Sequence, residues 1–192
     1  MNIGVLALQG DFIEHRKMLE RLGASVTLVR LPQHLTGLDG MIIPGGESTT
    51  IGKLAREFGL IESLRDFAQE HAIWGTCAGA IFLAKDIGRD QPLLGLMDIT
   101  VRRNAFGRQA DSFEIDLDIP VLNRIDGIER PFHAVFIRAP RIEKTNGTTE
   151  VLASLPDGAI VAARQNRWLA TSFHPELTDD DRFHRYFMQM IR

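Results

Sequence analysis

The chain has 192 residues, of which 44% are hydrophobic and 24% are charged, and its formal net charge is −3. This composition is typical of a soluble globular protein, and the length predicts a single domain over residues 1–192. The nearly balanced charge argues against nucleic acid or an anionic membrane as a partner. One cysteine cannot form an internal disulfide, and no apolar run approaches the roughly 18 residues of a membrane span. The start MNIGVLALQGD lacks the basic region of a signal peptide, so we expect a cytoplasmic protein.

The first half of the chain alternates short apolar runs with helical patterns. Such alternation predicts βαβ units on a mostly parallel sheet. Strands are predicted at IGVLAL (3–8), ASVTLVR (24–30), LDGMIIPGG (38–46) and AIWGT (72–76), and helices at 11–23, at 48–70 with a break at Gly59, and at 77–88.

After about residue 95 the pattern changes to closely spaced strand-like segments. They predict antiparallel strands added to the same domain, and the chain closes with a predicted helix over 178–192, capped by Thr178. Phe183, Phe187 and Met190 form a stripe on that helix which we expect in the core. The strand-like segments are LMDITVRR, SFEIDLDI, FHAVFIRAP, TEVLASL, AIVAARQ and RWLATSFH.

Cys77 lies in GTCAG (75–79), a G-x-C-x-G pattern between a predicted strand and a predicted helix. This is the nucleophile-elbow pattern with cysteine in place of serine, in which a sharp turn exposes the side chain at the end of the strand. Unpaired N–H groups at the start of the next helix favour a thiolate. A lone cysteine is also a common small buried hydrophobe, so a purely structural role remains an alternative.

A thiolate nucleophile needs a histidine to move protons and a group to orient that histidine. His174 follows a strand-like run and precedes Pro175 and Glu176. A spacing of two on extended chain places His174 and Glu176 on one side, so the carboxylate can hold one ring nitrogen. The solvated surface is the expected place of His15, His34 and His71, and no partner pattern accompanies His133 or His184.

A third motif, PGGEST (44–49), follows the predicted strand MII. Paired glycines allow backbone N–H groups to approach a ligand, and with a cysteine nucleophile an oxyanion hole is the favoured interpretation. The motif lacks the lysine of a P-loop, and an ordinary strand-to-helix turn is the alternative.

The ordered set PGGEST, GTCAG and SFHPEL resembles the class I (triad) glutamine amidotransferases. A closer resemblance, over essentially the whole chain, is to the PdxT/SNO family, the glutaminase subunits of pyridoxal 5′-phosphate synthase. It implies an α/β fold: a single-domain three-layer sandwich, flavodoxin-like, with a mixed, mostly parallel central sheet flanked by helices. The motifs that carry it are VLALQGD, PGGESTTI, GTCAGAIFLAKDI, RRNAFGRQADSFE, VFIRAPRI and TSFHPELTDD.

The resemblance also implies a role for each matching residue. Cys77 would be the nucleophile, His174 the general base and acid, and Glu176 the group that orients His174. Gly46 and Ala78 would donate backbone N–H groups to the oxyanion. The implied glutamine-binding residues are Gly46, Glu47, Ser48, Arg103, Ile137 and Arg138, the implied partner-activated loop holds Gln9 and Gly10, and exposure to solvent is expected for Arg102, Arg108 and Arg141.

The implied activity is hydrolysis of L-glutamine to L-glutamate and ammonia. In this family the ammonia passes, within a hetero-oligomer, to a TIM-barrel synthase subunit (PdxS/SNZ family) that makes pyridoxal 5′-phosphate from a pentose phosphate and a triose phosphate. We hypothesise that docking reorients the backbone at Gln9 and Gly10 to complete the oxyanion hole. No cofactor or metal site is expected, since H-P-E lacks a zinc-binding histidine pair and the chain has one cysteine.

Three alternatives stay open at this point. A glutaminase could serve another synthase, such as that of histidine or purine biosynthesis, although LQGD and RRNAFGRQ argue against it. A non-catalytic regulatory subunit would be expected to lack a member of the triad. A cysteine peptidase or chaperone-like relative would need no clamp for an amino acid.

Overall fold

A mixed β-sheet forms the centre of the computed structural model, which describes residues 1–103 and 112–191. In these residues ten strands form one sheet in the order β2-β1-β3-β4-β12-β11-β9-β6-β5, with β10 paired to β11, and β7 and β8 form a separate two-stranded sheet. The strands are β1 Asn2–Leu6, β2 Ser25–Val29, β3 Gly40–Ile43, β4 Ala72–Thr76, β5 Ala84–Asp86, β6 Met97–Arg102, β7 Ser112–Leu117, β8 Phe132–Ile137, β9 Arg141–Thr145, β10 Glu150–Ser154, β11 Ile160–Gln165 and β12 Trp168–Thr171.

Helices cover both faces of the large sheet. Side chains alternate along its strands, so Ile73 belongs to one buried hydrophobic cluster and Trp74 to the other. The first cluster packs under α2, α3 and α4, and the second under α1, α5 and α6. The helices are α1 Phe12–Arg21, α2 Ser48–Glu57, α3 Leu60–Glu70, α4 Ala78–Leu83, α5 Pro120–Asp126 and α6 Arg182–Ile191, with 3₁₀ turns at Pro32–Leu35 and Pro175–Leu177.

The predicted alternation in the first half is confirmed. Strands β2, β1, β3, β4 and β12 run parallel, and the second half adds antiparallel pairs among β12, β11, β9 and β6. The predicted break between α2 and α3 is also confirmed, since Gly59 is left-handed at φ 68°. On α6, Phe183 and Phe187 are fully buried and Met190 is partly buried against the same cluster, as the stripe predicted.

Two predicted helix boundaries are wrong. The helix predicted over 77–88 ends at Leu83, because residues 84–86 pair with β6 as strand β5. The last helix begins at Arg182 and is not capped by Thr178. The Thr178 hydroxyl instead donates to the Pro175 carbonyl oxygen at 3.1 Å and closes the 3₁₀ turn after His174.

Helix α5 and strand β9 were not predicted, and the antiparallel strands predicted for the second half include a pair outside the large sheet. Helix α5 has the proline-first, glycine-last signature, with Pro120 in its first turn and Gly127 left-handed at its end. Strand β9 has only one buried apolar residue, Ile142, and depends on pairing with β6. The strands β7 and β8 pair with each other and stand apart from the large sheet.

The neighbouring parallel strands β3, β4 and β12 determine where the motifs meet. Thr76, the last residue of β4, is in register with Thr171, the last residue of β12. The elbow cysteine and the H-P-E motif therefore emerge at the same, carboxyl-terminal edge of the sheet, where open α/β folds bind ligands. No helix among the described residues is long and apolar enough to cross a bilayer.

Candidate active site

Cys77 occupies a strained elbow between β4 and α4. Its φ of 48° and ψ of −105° lie outside the regions that non-glycine residues prefer. The Cys77 backbone N–H donates to the Thr171 carbonyl oxygen at 2.8 Å, which fastens the turn to β12. A Cβ at Gly79 would overlap the Ile43 carbonyl oxygen, and one at Gly75 would meet the backbone of Gly79. Glycine on both sides therefore permits the tight turn that presents the thiol.

His174 and Glu176 form a buried hydrogen-bonded pair. The distance from His174 Nδ1 to Glu176 Oε1 is 2.7 Å. The His174 backbone N–H donates to the Val135 carbonyl oxygen at 2.9 Å, which also ties β12 to β8. The side chain of Asp11 adds a second carboxylate, with Oδ2 at 3.5 Å from the same ring nitrogen. This nitrogen is thus held by acceptors, and the other ring nitrogen is left for chemistry.

The electrostatics favour a charged imidazolium beside Cys77. Burial alone would lower the pKa of His174, but its interactions with Cys77 and Glu176 outweigh burial and raise the pKa to about 10. Burial raises the pKa of Glu176, and the hydrogen bond from His174 opposes that shift. The Cys77 thiol also donates to the Ile137 carbonyl oxygen, with an Sγ to oxygen distance of 3.9 Å.

A cavity of about 380 Å³ opens in front of Cys77 and His174. Its wall includes the two implied oxyanion donors, Gly46 and Ala78, and both residues of the implied partner-activated loop, Gln9 and Gly10. All six implied glutamine-binding residues also line it: Gly46, Glu47, Ser48, Arg103, Ile137 and Arg138.

Two loops form one wall of this cavity. The Glu47 backbone N–H donates to Gln9 Oε1 at 2.7 Å, and the Asp11 backbone N–H donates to the Gly45 carbonyl oxygen at 3.1 Å. Gly10 has φ 100°, and a Cβ there would overlap the Gly45 carbonyl oxygen. Glycine is therefore required at this position, since the backbone of the two loops packs directly together.

Glu47 has a structural role besides facing the cavity. Its carboxylate accepts the backbone N–H groups of Thr49 and Thr50 at 3.0 and 2.7 Å and caps α2. It also pairs with Arg103, with Nη2 to Oε1 at 3.0 Å. Although partial burial opposes ionisation, hydrogen bonds from the Thr50 hydroxyl and from the backbone N–H groups of Thr49 and Thr50 lower the pKa of Glu47 to about 2. Glu47 and Arg103 thus present a coupled pair of opposite charges at the cavity.

Two further groups on the cavity wall are poised for a ligand. Ser48 is 2% exposed, and its hydroxyl has no hydrogen-bond partner among the described residues. Arg138 follows β8 with φ 44°, a left-handed conformation that turns the chain at the cavity. A buried hydroxyl without a partner is costly, so a bound polar molecule would satisfy Ser48.

A second cavity, of about 530 Å³, lies away from Cys77 beside α3. Two of its three cations are already bonded, since Arg65 donates to the carbonyl oxygens of Leu93 and Leu94 and Lys85 pairs with Asp98. No cysteine or histidine lines it. The smaller cavity, with the thiol and the buried His174–Glu176 pair, is therefore the candidate active site.

Comparison with known proteins agrees with this geometry. Residues 5–192 match the SNO glutamine amidotransferase family. The chain belongs to that family. The pyridoxal 5′-phosphate synthase subunit PdxT of Herpetosiphon aurantiacus is 60% identical over 193 residues, which cover 98% of this chain and 99% of the relative. Subunit PdxT of Moorella thermoacetica is 57% identical and covers 100% of both chains.

Solved structures of glutamine amidotransferases and related folds confirm the predicted fold class. A crystal structure of a glutamine amidotransferase superposes with a TM-score of 0.91 at 52% identity and covers 98% of each chain. PurLQS from Thermotoga maritima matches with a TM-score of 0.74 at 13% identity over 100% of this chain and 98% of that one, which shows the fold alone.

Two histidines near the glutamine amidotransferase site were misjudged from the sequence. His15 was predicted on the surface but is fully buried, and His184, for which no partner was predicted, is equally buried beside it. His15 Nε2 lies 3.3 Å from Glu176 Oε2. The signal that could have found His15 is its spacing, since it precedes Met18 by three residues and Leu19 by four and so lies on the same buried face of the helix.

The remaining predicted arginines contribute nothing to the cavity where they are described. Arg102 is exposed and pairs with Glu143, and Arg141 is half-buried with Nη1 at 3.7 Å from Asp157. Arg108 lies outside the described residues, as does most of the motif RRNAFGRQADSFE.

The side chains of Asp11, His174 and Glu176 bring possible metal-ligand atoms within 4.8 Å of one another. However, His174 Nδ1 is already bonded to Glu176, so hydrogen bonding explains the cluster.

Proposed function

We propose that this chain is a glutaminase that hydrolyses L-glutamine to L-glutamate and ammonia, and that residues 1–192 form one glutaminase domain. The observation that carries the proposal is the 2.7 Å contact between His174 and Glu176 in the same pocket as the strained Cys77. Cys77 is the nucleophile, His174 transfers protons, and Glu176 orients His174.

The first half of the reaction releases ammonia. The Cys77 sulfur attacks the carbon of the side-chain amide, and the carbonyl oxygen becomes an oxyanion held by the N–H groups of Gly46 and Ala78. His174 gives its proton to the leaving nitrogen as the carbon–nitrogen bond breaks. The products of this half are ammonia and a γ-glutamyl thioester on Cys77.

The second half regenerates the thiol. His174, now neutral, takes a proton from a water molecule that attacks the thioester carbon. The second oxyanion forms in the same place and collapses as the carbon–sulfur bond breaks. Glutamate leaves, and the proton returns to the Cys77 and His174 pair.

The opposite charges of Glu47 and Arg103 suit the ammonium and carboxylate of free glutamine. Their mutual ion pair at 3.0 Å holds both side chains at the cavity before substrate arrives. The hydroxyl of Ser48 and the backbone at Ile137 and Arg138 complete the set of polar contacts. This clamp favours a free amino acid over a peptide.

The ammonia serves a pyridoxal 5′-phosphate synthase. The relatives that are 54–60% identical over nearly their whole length are named as subunits of that enzyme. The partner is the TIM-barrel PdxS/SNZ subunit, which forms a hetero-oligomer with this chain in the cytoplasm and builds the product from a pentose phosphate and a triose phosphate. Its docking acts on the loop at Gln9 and Gly10, which already contacts the turn at Glu47.

The test is glutamate release from glutamine by the purified chain, with and without the synthase subunit. We expect release that depends on the subunit, is lost in Cys77→Ala, and is kept in the control His71→Gln, at a half-buried histidine that does not line the cavity. Strong release without the subunit would contradict the proposed partner but keep the nucleophile. Release that persists in Cys77→Ala would overturn the proposed chemistry.

A further inference from the structure

A buried pair of histidines stands directly behind Glu176. The distance from His15 Nδ1 to His184 Nε2 is 2.9 Å, and His15 Nε2 lies 3.2 Å from the hydroxyl oxygen of Thr76. Both imidazoles are fully buried, and both make T-shaped contacts with the indole of Trp74. Buried imidazoles that contact each other this closely must share one proton between the facing nitrogens.

The contacts select one arrangement of protons on this pair. If His15 Nδ1 carried the proton, the bare Nε2 would face the carboxylate oxygen of Glu176 and His184 Nδ1 would hold a buried N–H with no partner among the described residues. With the opposite arrangement, His184 Nε2–H donates to His15 Nδ1, and His15 Nε2–H points at Thr76 and Glu176. Both interactions are then favourable.

Glu176 has a carboxylate oxygen that the catalytic contacts do not use. Oε1 is occupied by His174 Nδ1 at 2.7 Å, while Oε2 is buried and accepts no hydrogen bond from the described residues. His15 Nε2 is within 3.3 Å of that oxygen. A buried carboxylate oxygen without a donor is costly, so a small tilt of Glu176 toward this N–H would be favourable.

On the basis of the proposed glutaminase reaction, we propose that His15 is a positioning residue: as the neutral Nε2–H tautomer, fixed by His184, it holds the free oxygen of Glu176 and keeps the other oxygen aimed at His174. The charged and titratable groups that act on this pair are His174, Glu176 and Arg21. Burial lowers the pKa of both His15 and His184, which agrees with a neutral pair. Asp11 also bears on Glu176 from the loop before α1.

The tautomer is directly measurable. Long-range ¹H–¹⁵N spectra of the chain labelled with ¹⁵N-histidine distinguish the Nε2–H and Nδ1–H tautomers and the imidazolium. We expect His15 as the Nε2–H tautomer from pH 6 to 8, without titration, and a change to the other tautomer or to a mixture in His184→Phe. A protonated His15, or an Nδ1–H tautomer in the wild type, would overturn the proposal.

The effect on catalysis is tested in the complex with the synthase subunit. In His15→Leu the Glu176 carboxylate loses its donor, so we expect kcat to fall about 10- to 100-fold with little change in KM. Because the lost hydrogen bond favoured the ionised carboxylate, the acidic limb of the pH profile should move to higher pH. His15→Gln keeps an amide N–H near the Nε2 position. It should therefore restore most of kcat and return the acidic limb of the pH profile toward its wild-type position.

A merely structural role makes different predictions. Leu19→Val removes buried volume from the same helix and should lower stability while leaving the pH profile in place. If His15→Leu behaves like Leu19→Val, or if His15→Gln is as impaired as His15→Leu, the positioning role is wrong. If His15→Leu does not fold, the pH profile of His15→Gln and the tautomer of His15 in the wild type still test the positioning role. Absence of glutamate release by the wild-type complex would instead contradict the glutaminase proposal, and the tautomer would be readable in either case.

Discussion

The side-chain oxygen of Gln9 accepts a hydrogen bond from the backbone N–H of Glu47 at 2.7 Å, which joins the loop after β1 to the turn after β3. The bond from the Asp11 N–H to the Gly45 carbonyl oxygen is a second tie between the same segments. Gly46, a proposed oxyanion donor, lies within the second segment. We therefore expect a shift of one loop to move the other.

Gly10→Ala should lower glutamate release in the presence of the synthase subunit by about tenfold or more, because the new Cβ displaces the Gly45 carbonyl and the oxyanion turn beside it. The matched control is Gly23→Ala, at φ 82° with open space around the Cβ position. It should lose about 1–2 kcal/mol of stability from its left-handed backbone and keep full activity. Equal activity of the two variants would contradict the role of the loop contact.

Glu47→Gln should raise KM for glutamine about tenfold with a smaller effect on kcat, because it removes the anion that we propose binds the substrate ammonium. The pKa of about 2 means that Glu47 stays ionised at any working pH. Its contribution to stability is present above pH 4.5 and is lost as the pH falls toward 2. Steady-state kinetics measure this. The control is Glu143→Gln, at a carboxylate that pairs with the exposed Arg102 among the described residues, and its KM should stay unchanged.

The raised pKa of His174 predicts how stability depends on pH. A pKa raised from 6.5 to about 10 stabilises the fold fully below pH 6.5, and this stabilisation declines as the pH rises through about 10. The difference in unfolding free energy between wild type and His174→Gln should therefore shrink from pH 7 to pH 10. Urea unfolding at several pH values measures it. Leu19→Val changes no titratable group, so its difference in unfolding free energy from wild type should stay constant with pH. The prediction is wrong if the differences for Leu19→Val and His174→Gln change with pH in the same way.

The strained elbow predicts a reversed order of stabilities at Cys77. Both Cys77→Ala and Cys77→Gly remove the sulfur, but only glycine relieves the φ of 48°. We expect Cys77→Gly to be more stable than Cys77→Ala by about 1–2 kcal/mol, opposite to the usual preference. Urea unfolding tests this, and both variants should release no glutamate. If alanine proves the more stable, the elbow is not strained in solution.

Most of the sheet could be predicted from the sequence, because apolar runs bounded by turn residues carry local signals. Short motifs at strand ends indicated Cys77 and His174, and the family resemblance supplied most of the other residues that line the cavity, but Asp11, Ile81 and Leu177 were not predicted there. Strand β9 escaped prediction since it has little apolar character of its own and depends on its partner β6. The burial of His15 escaped for a related reason. Its neighbours His184 and Glu176 come from the far end of the chain, and only the folded structure brings them to α1.

The pairing of Thr76 with Thr171 has a consequence for how such an enzyme could be kept silent until it is needed. The ladder between β4 and β12 fixes the register of the strand ends from which the proposed nucleophile and its base extend. A switch that moved these two strand ends apart would have to break hydrogen bonds of the central sheet. If docking of a partner activates the enzyme, as we propose, the change would then lie in the neighbouring loops, which can rearrange without disturbing the sheet beneath them.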